Sequence, residues 1–253
     1  ISLRSVVRSH FPLPKMNIIK KKINRFFQSR KLLKIKYLIH KIFKEKDIGQ
    51  LNFIFEDKPS RSEIIQNIID EKKYTSYLEI GCFSNELFNS VRIKNKIGVD
   101  PVSGGTLRMT SDDFFMRNED FFDIIFIDGL HHYEQVKKDI ENSLKFLNKD
   151  GVILLHDCLP KNVFDQAVPR CTYNWNGDVW KAIVETRCRK DIDTYTCYAD
   201  HGIGVILKKE NKNILNLKIT KFKKLKFFDY YINHKNYMNI INHNQLLNIL
   251  KNE

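Results

Sequence analysis

Apolar and polar positions along this chain follow two rhythms. Short apolar runs closed by a polar residue recur at Tyr77-Leu-Glu-Ile-Gly81, Lys96-Ile-Gly-Val-Asp100, Phe122-Asp-Ile-Ile-Phe-Ile-Asp128 and Gly151-Val-Ile-Leu-Leu155. Their length and β-branched content predict strands near 76–80, 96–100, 122–127 and 151–155. Between them the spacing is helical, near 85–92, at 111–117, and where Val136, Ile140, Leu144 and Leu147 share one face. Ahead of the first strand, Ser60-Arg-Ser-Glu63 has the form of a capping box opening a helix that carries Ile64, Ile65, Ile68 and Ile69. A helix near 177–187, strands near 194–198 and 203–207, and a helical tail from about 227 follow. This alternation predicts an α/β fold, Rossmann-like and doubly wound, with a mostly parallel sheet and helical extensions at both ends. In such a sheet ligands bind outside the carboxyl ends of the strands, so function is expected at Gly81, Asp100 and Asp128.

Residues 17–46 show a third pattern, with Ile19, Ile23, Phe26, Leu33, Ile35, Leu38, Ile42 and Phe43 at helical spacing among many lysines. A basic amphipathic helix of this kind either lies on an anionic membrane surface or packs on the domain with its lysines in water. Both readings stay open. The chain divides into a basic, largely helical extension at 1–57, a core at 58–208 and a basic helical tail at 209–253, with a Lys/Asn-rich joint at 208–224. The first residue is Ile1 and Met16 is a candidate initiator, so residues 1–15 are given no functional weight.

Charge changes this picture only in its flanks. The formal net charge is +13, but residues 1–50 hold 14 Lys/Arg against 2 acids and residues 211–253 hold 8 against 2. Residues 51–210 hold 21 against 26, a net −5, which argues against nucleic acid running through the core because phosphates need Lys/Arg at the site itself. An AT-rich codon bias toward Lys and Asn is an equally good source of the flanking charge. The five cysteines, at 82, 158, 171, 188 and 197, form no Cys-x-x-Cys pair and are odd in number. A reduced, cytoplasmic setting is expected, membrane-associated at the cytoplasmic face if residues 17–46 engage lipid.

The strand ends carry the chemistry. Gly81 lets the backbone approach a ligand, and Asp100, about twenty residues on, is placed to accept both hydroxyls of a ribose. Gly81-Cys-Phe-Ser-Asn-Glu supplies one glycine where a dinucleotide fingerprint needs three, which disfavours NAD or FAD. A second constellation combines Asp128, His131, His132, His156 and Asp157. Alternation along a strand would send His156 and Asp157 to opposite faces, so their sharing a site stays open. In Trp175-Asn-Gly-Asp-Val-Trp180, ring faces and amides suit a sugar, while Trp180 suits a core position equally well. Cys158 reads as a packing residue.

Together with Gly98-Val-Asp-Pro101, Met109-Thr-Ser-Asp-Asp-Phe-Phe115, Phe126-Ile-Asp-Gly-Leu-His131, Gly151-Val-Ile-Leu-Leu-His-Asp157 and Gly177-Asp-Val-Trp-Lys-Ala182, the Tyr77–Gly81 run resembles class I S-adenosylmethionine-dependent methyltransferases. The nearest subgroup is methyltransferase family 24, and the resemblance covers roughly residues 60–208. It implies a seven-stranded sheet with one antiparallel strand, and S-adenosyl-L-methionine bound by Glu79, Gly81 and Asp100, with Asp112 or Asp113 near the adenine and Asp128 beside them. The usual second glycine of the first loop is replaced around Ser84-Asn85. The same resemblance implies a divalent ion, Mg²⁺ or Mn²⁺, held by Asp128 and Asp157, with His156 where a Glu is usual.

Methyl transfer to a sugar hydroxyl needs the hydroxyl proton removed as attack proceeds, and His131 is the first choice of general base, His132 the second, with Asp128 as partner. The expected activity is O-methylation of a saccharide or other small polyhydroxyl acceptor. The competing readings are an RNA methyltransferase recruited by the basic flanks, and a non-catalytic module of the same fold docking on a membrane or partner.

Overall fold

Each of the apolar runs becomes a strand because its two faces are both covered. In the computed structural model, which describes residues 30–251, β1 (Ser76–Ile80), β2 (Asn95–Val99), β3 (Phe122–Ile127), β4 (Leu147–Leu155), β5 (Asp193–Cys197), β6 (Ile203–Leu207) and β7 (Ile240–Ile241) form one seven-stranded sheet. The order is β2-β1-β3-β4-β6-β5-β7. β2, β1, β3 and β4 run parallel, β6 is antiparallel to both neighbours, and β7 is parallel to β5. Since β1 sits between β2 and β3, successive crossovers leave it in opposite directions, and the crevice at its carboxyl end is the switch point where ligands bind in open sheets.

Alternate residues feed two cores. Leu78, Ile80, Ile125, Ile127, Ile153 and Leu155 face α4 (Ser111–Phe115), α5 (Tyr133–Lys145), α6 (Trp180–Arg187) and α7 (Phe227–Met238). Tyr77, Ile124, Phe126, Val152 and Leu154 face α2 (Arg61–Lys72), α3 (Glu86–Ser90) and α8 (His243–Lys251). Ser60 caps α2 as its sequence predicts: the Glu63 amide donates to Ser60 Oγ, and the Ser60 amide donates to Glu63 Oε2 at 2.7 Å. Of the pattern at 17–46, residues 17–29 lie outside the described residues. The remainder is α1 (Arg30–Phe43), which buries Leu33 and His40 and sets Tyr37 against Phe164.

The seven strands are not assembled from the core alone. Beyond β2 the sheet ends in a single bridge between Val99 and Leu107, and the seventh strand comes from the far end of the chain. The tail expected to be helical from about 227 is two helices with a short strand between them. Asn239 is left-handed at φ +46 and ends α7, Ile240 and Ile241 pair with Thr196 and Cys197, and α8 starts at His243. A strand of two residues is too short to show any alternation.

Candidate functional site

The crevice forms because the ends of β1 and β3 nearly touch. Gly81 has φ +91, and a Cβ there would lie 2.2 Å from the Asp128 carbonyl oxygen, so only glycine fits. Above this contact opens a cavity of about 740 Å³, lined among others by Gly81, Phe83, Asp100, Asp112, Asp128 and Asp139. Asp100 is held by three amides: Phe83 donates to Oδ2 at 3.0 Å, and Val102 and Ser103 donate to Oδ1 at 2.7 Å each. Its carboxylate is therefore fixed at the cavity wall before any ligand arrives. The missing second glycine is answered by Asn85, which takes φ +67 and accepts the Gly105 amide at 2.6 Å through Oδ1. Asparagine tolerates this left-handed conformation better than most side chains do.

The remaining cavity residues fall unevenly. Asp112 stands in the wall, its oxygens taking Lys138 Nζ at 2.6 Å and Gln135 Nε2 at 3.2 Å. Asp113 lies outside the lining because it is the third residue of α4 and turns back to the capping Thr110, whose hydroxyl donates to it at 2.8 Å. Glu79 is also outside the lining, buried beneath it, with Tyr77 Oη donating to Oε2 at 2.6 Å. Burial raises the Glu79 carboxyl to about 7, against the Tyr77 hydroxyl, which favours its charged form. Asp139 escaped the sequence reading. It lies one turn after Gln135 on the inner face of α5, and burial raises its carboxyl to about 6.

Next to the cavity, Asp128 joins a cluster of acids and imidazoles. His131 Nε2 lies 3.1 Å from Asp128 Oδ1, and His131 Nδ1 lies 3.1 Å from the Trp175 carbonyl and 3.3 Å from Asp157 Oδ2. His156 Nδ1 lies 3.3 Å from both Asp128 and Asp157, and its Nε2 lies 3.1 Å from Asp200 Oδ1. His156 and Asp157 share the site because β4 ends at Leu155 and Asp157 turns left-handed at φ +62, so strand alternation no longer applies. Asn176 Nδ2 donates to Asp157 Oδ1 at 2.9 Å. His132 is not in the cluster; it precedes α5 and sets its ring edge-on to Trp175.

Two further members, Arg61 and Asp200, were not predicted. Arg61 opens α2, its amide donates to Asp200 Oδ2 at 2.8 Å, and its guanidinium lies 2.8 Å from His156 Nε2 and 3.8 Å from Asp128. Burial alone would raise the Asp128 carboxyl, but His156 and His131 overcome it and hold it well below the usual carboxylate range. Both imidazoles are correspondingly raised, against the effect of burial, by Asp128 and Asp157. Asp200 is held down to about 2, burial again being outweighed by His156 and then Arg61.

Asp128, His131 and Asp157 each offer one ligand atom within 4.8 Å of the others. Two carboxylates and an imidazole are a donor set that fits a divalent ion, and the nitrogen ligand suits Mn²⁺ better than Mg²⁺. The expected third ligand, His156, is replaced in this set by His131. Its own ring nitrogens lie 2.8 and 3.2 Å from the Arg61 guanidinium, whose charge opposes a cation there.

Trp175 and Trp180 divide as their positions dictate. Trp180 is fully buried with Nε1 donating to Gln166, a core residue, whereas Trp175 stacks on His131 with ring centroids 5.1 Å apart. Gly177, at φ +63, allows this loop to close: a Cβ would lie 1.9 Å from the His131 carbonyl oxygen.

A switch-point cavity bearing an acid at the end of β2, beside an acid–imidazole cluster at the ends of β3 and β4, is the arrangement that the resemblance to class I S-adenosylmethionine-dependent methyltransferases implies. Residues 85–158 match the family model Methyltransf_24, described as a methyltransferase domain. A curated relative, uncharacterized protein R132 of Acanthamoeba polyphaga mimivirus, is 24% identical over 188 residues, covering 62% of this chain and 80% of that protein. Among solved structures, the SAH-bound methyltransferase PaMTH1 of Podospora anserina is 15% identical, covers 80% of this chain and 99% of its own, and gives a TM-score of 0.45. An O-methyltransferase from Bacillus cereus in complex with SAH is 12% identical over 69% of this chain and 97% of its own, with a TM-score of 0.44.

Proposed function

We propose that this protein transfers a methyl group from S-adenosylmethionine to a hydroxyl of a saccharide or other small polyhydroxyl acceptor. The observation that carries this reading is the position of Asp128, which lines the cavity and also touches His131 and His156. A donor in the cavity is thereby put next to a proton acceptor. The cavity acids Asp100, Asp112, Asp128 and Asp139 favour a ligand with the positive sulfonium and ammonium of S-adenosylmethionine and disfavour a phosphate chain. Asp100 would take the ribose hydroxyls, Gly81 the close backbone approach, and Glu79 would act from beneath the floor.

Bound S-adenosylmethionine would supply an electrophilic methyl group, its sulfur keeping the electrons of the broken bond, and His131 would take the proton of the attacking acceptor hydroxyl. His131 accepts a proton only in its neutral form, with Asp128 and Asp157 stabilising the imidazolium that results. Asn176 and the ring of Trp175 would meet the polar and apolar faces of a sugar. A divalent ion bound by Asp128, His131 and Asp157 would acidify the acceptor hydroxyl instead, and the donor set supports this second reading.

Calorimetry and labelled-methyl transfer test the proposal. S-adenosylmethionine is expected to bind with about micromolar affinity, and Asp100→Ala to abolish binding. His131→Ala should leave binding intact while lowering kcat by roughly 10²–10⁴-fold. Absence of binding by both the cofactor and its demethylated product would overturn the cofactor assignment. Binding without transfer to any glycan extract would favour a non-catalytic module.

A further inference from the structure

α1 is apolar on two opposite faces, and the described residues bury only one of them. Leu33, Tyr37 and His40 face inward, and Tyr37 lies on the Phe164 ring at a centroid distance of 4.3 Å. The orientation is fixed just past the helix by Glu45, whose carboxylate accepts from Gln166 Nε2 at 3.1 Å and from the Phe227 amide. On the other side Ile35, Leu38, Ile39, Ile42 and Phe43 recur at the i, i+3, i+4, i+7, i+8 spacing of a single stripe. All five are exposed, Ile42 at 68% and Phe43 at 75%. A stripe of that width held outward by the packing beneath it is not a by-product of a loose helix.

The polar residues bordering the stripe identify what covers it. The helix contains no acid, and the exposed Lys34 and Lys41, seven residues apart, lie along one edge of the apolar strip. Apolar side chains edged by lysines are the pattern of a helix lying in the plane of a bilayer, with the stripe among the upper acyl chains and the ammonium groups at the phosphates. An acidic protein partner would satisfy the lysines but gives no reason for the length of the strip. We propose that the outward face of α1 seats this protein on an anionic membrane surface, independently of the methyl-transfer reading. No helix among the described residues is long and apolar enough to cross a membrane, so the contact is with one leaflet.

Vesicle co-sedimentation of the full chain tests this. At ~0.1 M salt, binding to phosphatidylcholine vesicles containing about 30% phosphatidylserine should exceed binding to phosphatidylcholine alone by roughly tenfold or more, and should fall steeply at high salt. Ile42→Asp with Phe43→Asp should reduce binding by at least about tenfold, while Ile42→Leu with Phe43→Leu retains it. Lys34→Glu with Lys41→Glu should remove the preference for anionic vesicles. Unchanged thermal midpoints and cofactor affinity would show that these exposed substitutions leave the domain folded. Three results would overturn the proposal: equal vesicle binding by wild type and the Ile42/Phe43 aspartate variant; loss of binding on deleting residues 1–29 with α1 intact; or a dimer in light scattering that the same aspartate variant dissolves, without vesicle binding, which would assign the face to a second copy of the chain.

Discussion

Glu79 ties stability to ligand binding through a single proton. Burial raises its carboxyl to about 7, whereas a carboxyl in the unfolded chain titrates near ~4.3. Between those values the folded protein holds a proton that the unfolded chain has lost, so stability falls as pH rises across the window, by on the order of 3 kcal/mol in total. Asp139 and the raised His131 and His156 imidazoles add slope of the same sign, so Glu79→Gln should reduce, without abolishing, the fall in stability seen in urea denaturation from pH 4.5 to 8; an unchanged slope would place the titration elsewhere. The cationic cofactor favours the charged carboxylate, so wild-type affinity should rise over the same range and binding near pH 6 should release a proton, seen as a buffer-dependent calorimetric heat. Gly177 makes a second argument at this scale. Because a Cβ at this position would lie 1.9 Å from the His131 carbonyl oxygen, Gly177→Ala must move the Trp175 loop, and is expected to lower kcat by roughly tenfold or more with cofactor affinity unchanged. The glycine at Gly81 was legible because a strand precedes it. The need for glycine at Gly177 was not, since the backbone it meets lies 46 residues earlier in the chain, at His131.

α2 is the element that joins one of the two cores to the site. Its first turn places Arg61 against His156 and Asp128, and its apolar face carries Ile64, Ile65, Ile68 and Ile69 into the same cluster as Leu246 and Leu250 of α8. Leu246 is fully buried, so Leu246→Ala should cost about 2–5 kcal/mol in urea denaturation with little change in m. Ser60→Ala should cost about 1 kcal/mol through the lost cap, and should also lower kcat because Arg61 is the next residue. The cap and the apolar stripe of α2 were readable from spacing, as were the parallel strands, since local pattern specifies them. The partners of Arg61 were not. His156 and Asp200 lie 95 and 139 residues away in sequence, and Asp200 lies within a turn whose left-handed backbone no apolar periodicity marks. The same holds for β7, whose two residues pair with β5 only once α7 has ended at Asn239. His156 and Asp157 are the converse case, where strand alternation was a poor guide because the strand had already stopped.

Over the whole molecule, an acid-lined cavity and an acid–imidazole cluster share one residue, and this makes their separate ligands distinguishable by stability alone. A ligand that binds only the folded chain at about 100 times its Kd stabilises it by about 2.7 kcal/mol, which for a chain of this size is a rise in Tm of roughly 5–10 °C. S-adenosylhomocysteine and Mn²⁺ should each raise Tm, and should raise it further together. Asp100 touches only the cavity, clamped by the amides of Phe83, Val102 and Ser103, so Asp100→Ala should lose the S-adenosylhomocysteine increment and keep that of Mn²⁺. Asp157 is outside the cavity lining but inside the candidate ligand triad, so Asp157→Asn should lose the Mn²⁺ increment and keep the other. Asp128 belongs to both, and Asp128→Asn should weaken both at once. A Mn²⁺ increment that survives in Asp128→Asn and Asp157→Asn would remove the metal from this site and leave His131 as the group that takes the acceptor's proton. A cofactor increment that survives in Asp100→Ala would instead detach the ribose from the end of β2 and, with it, the reading of the switch point as the cofactor's place.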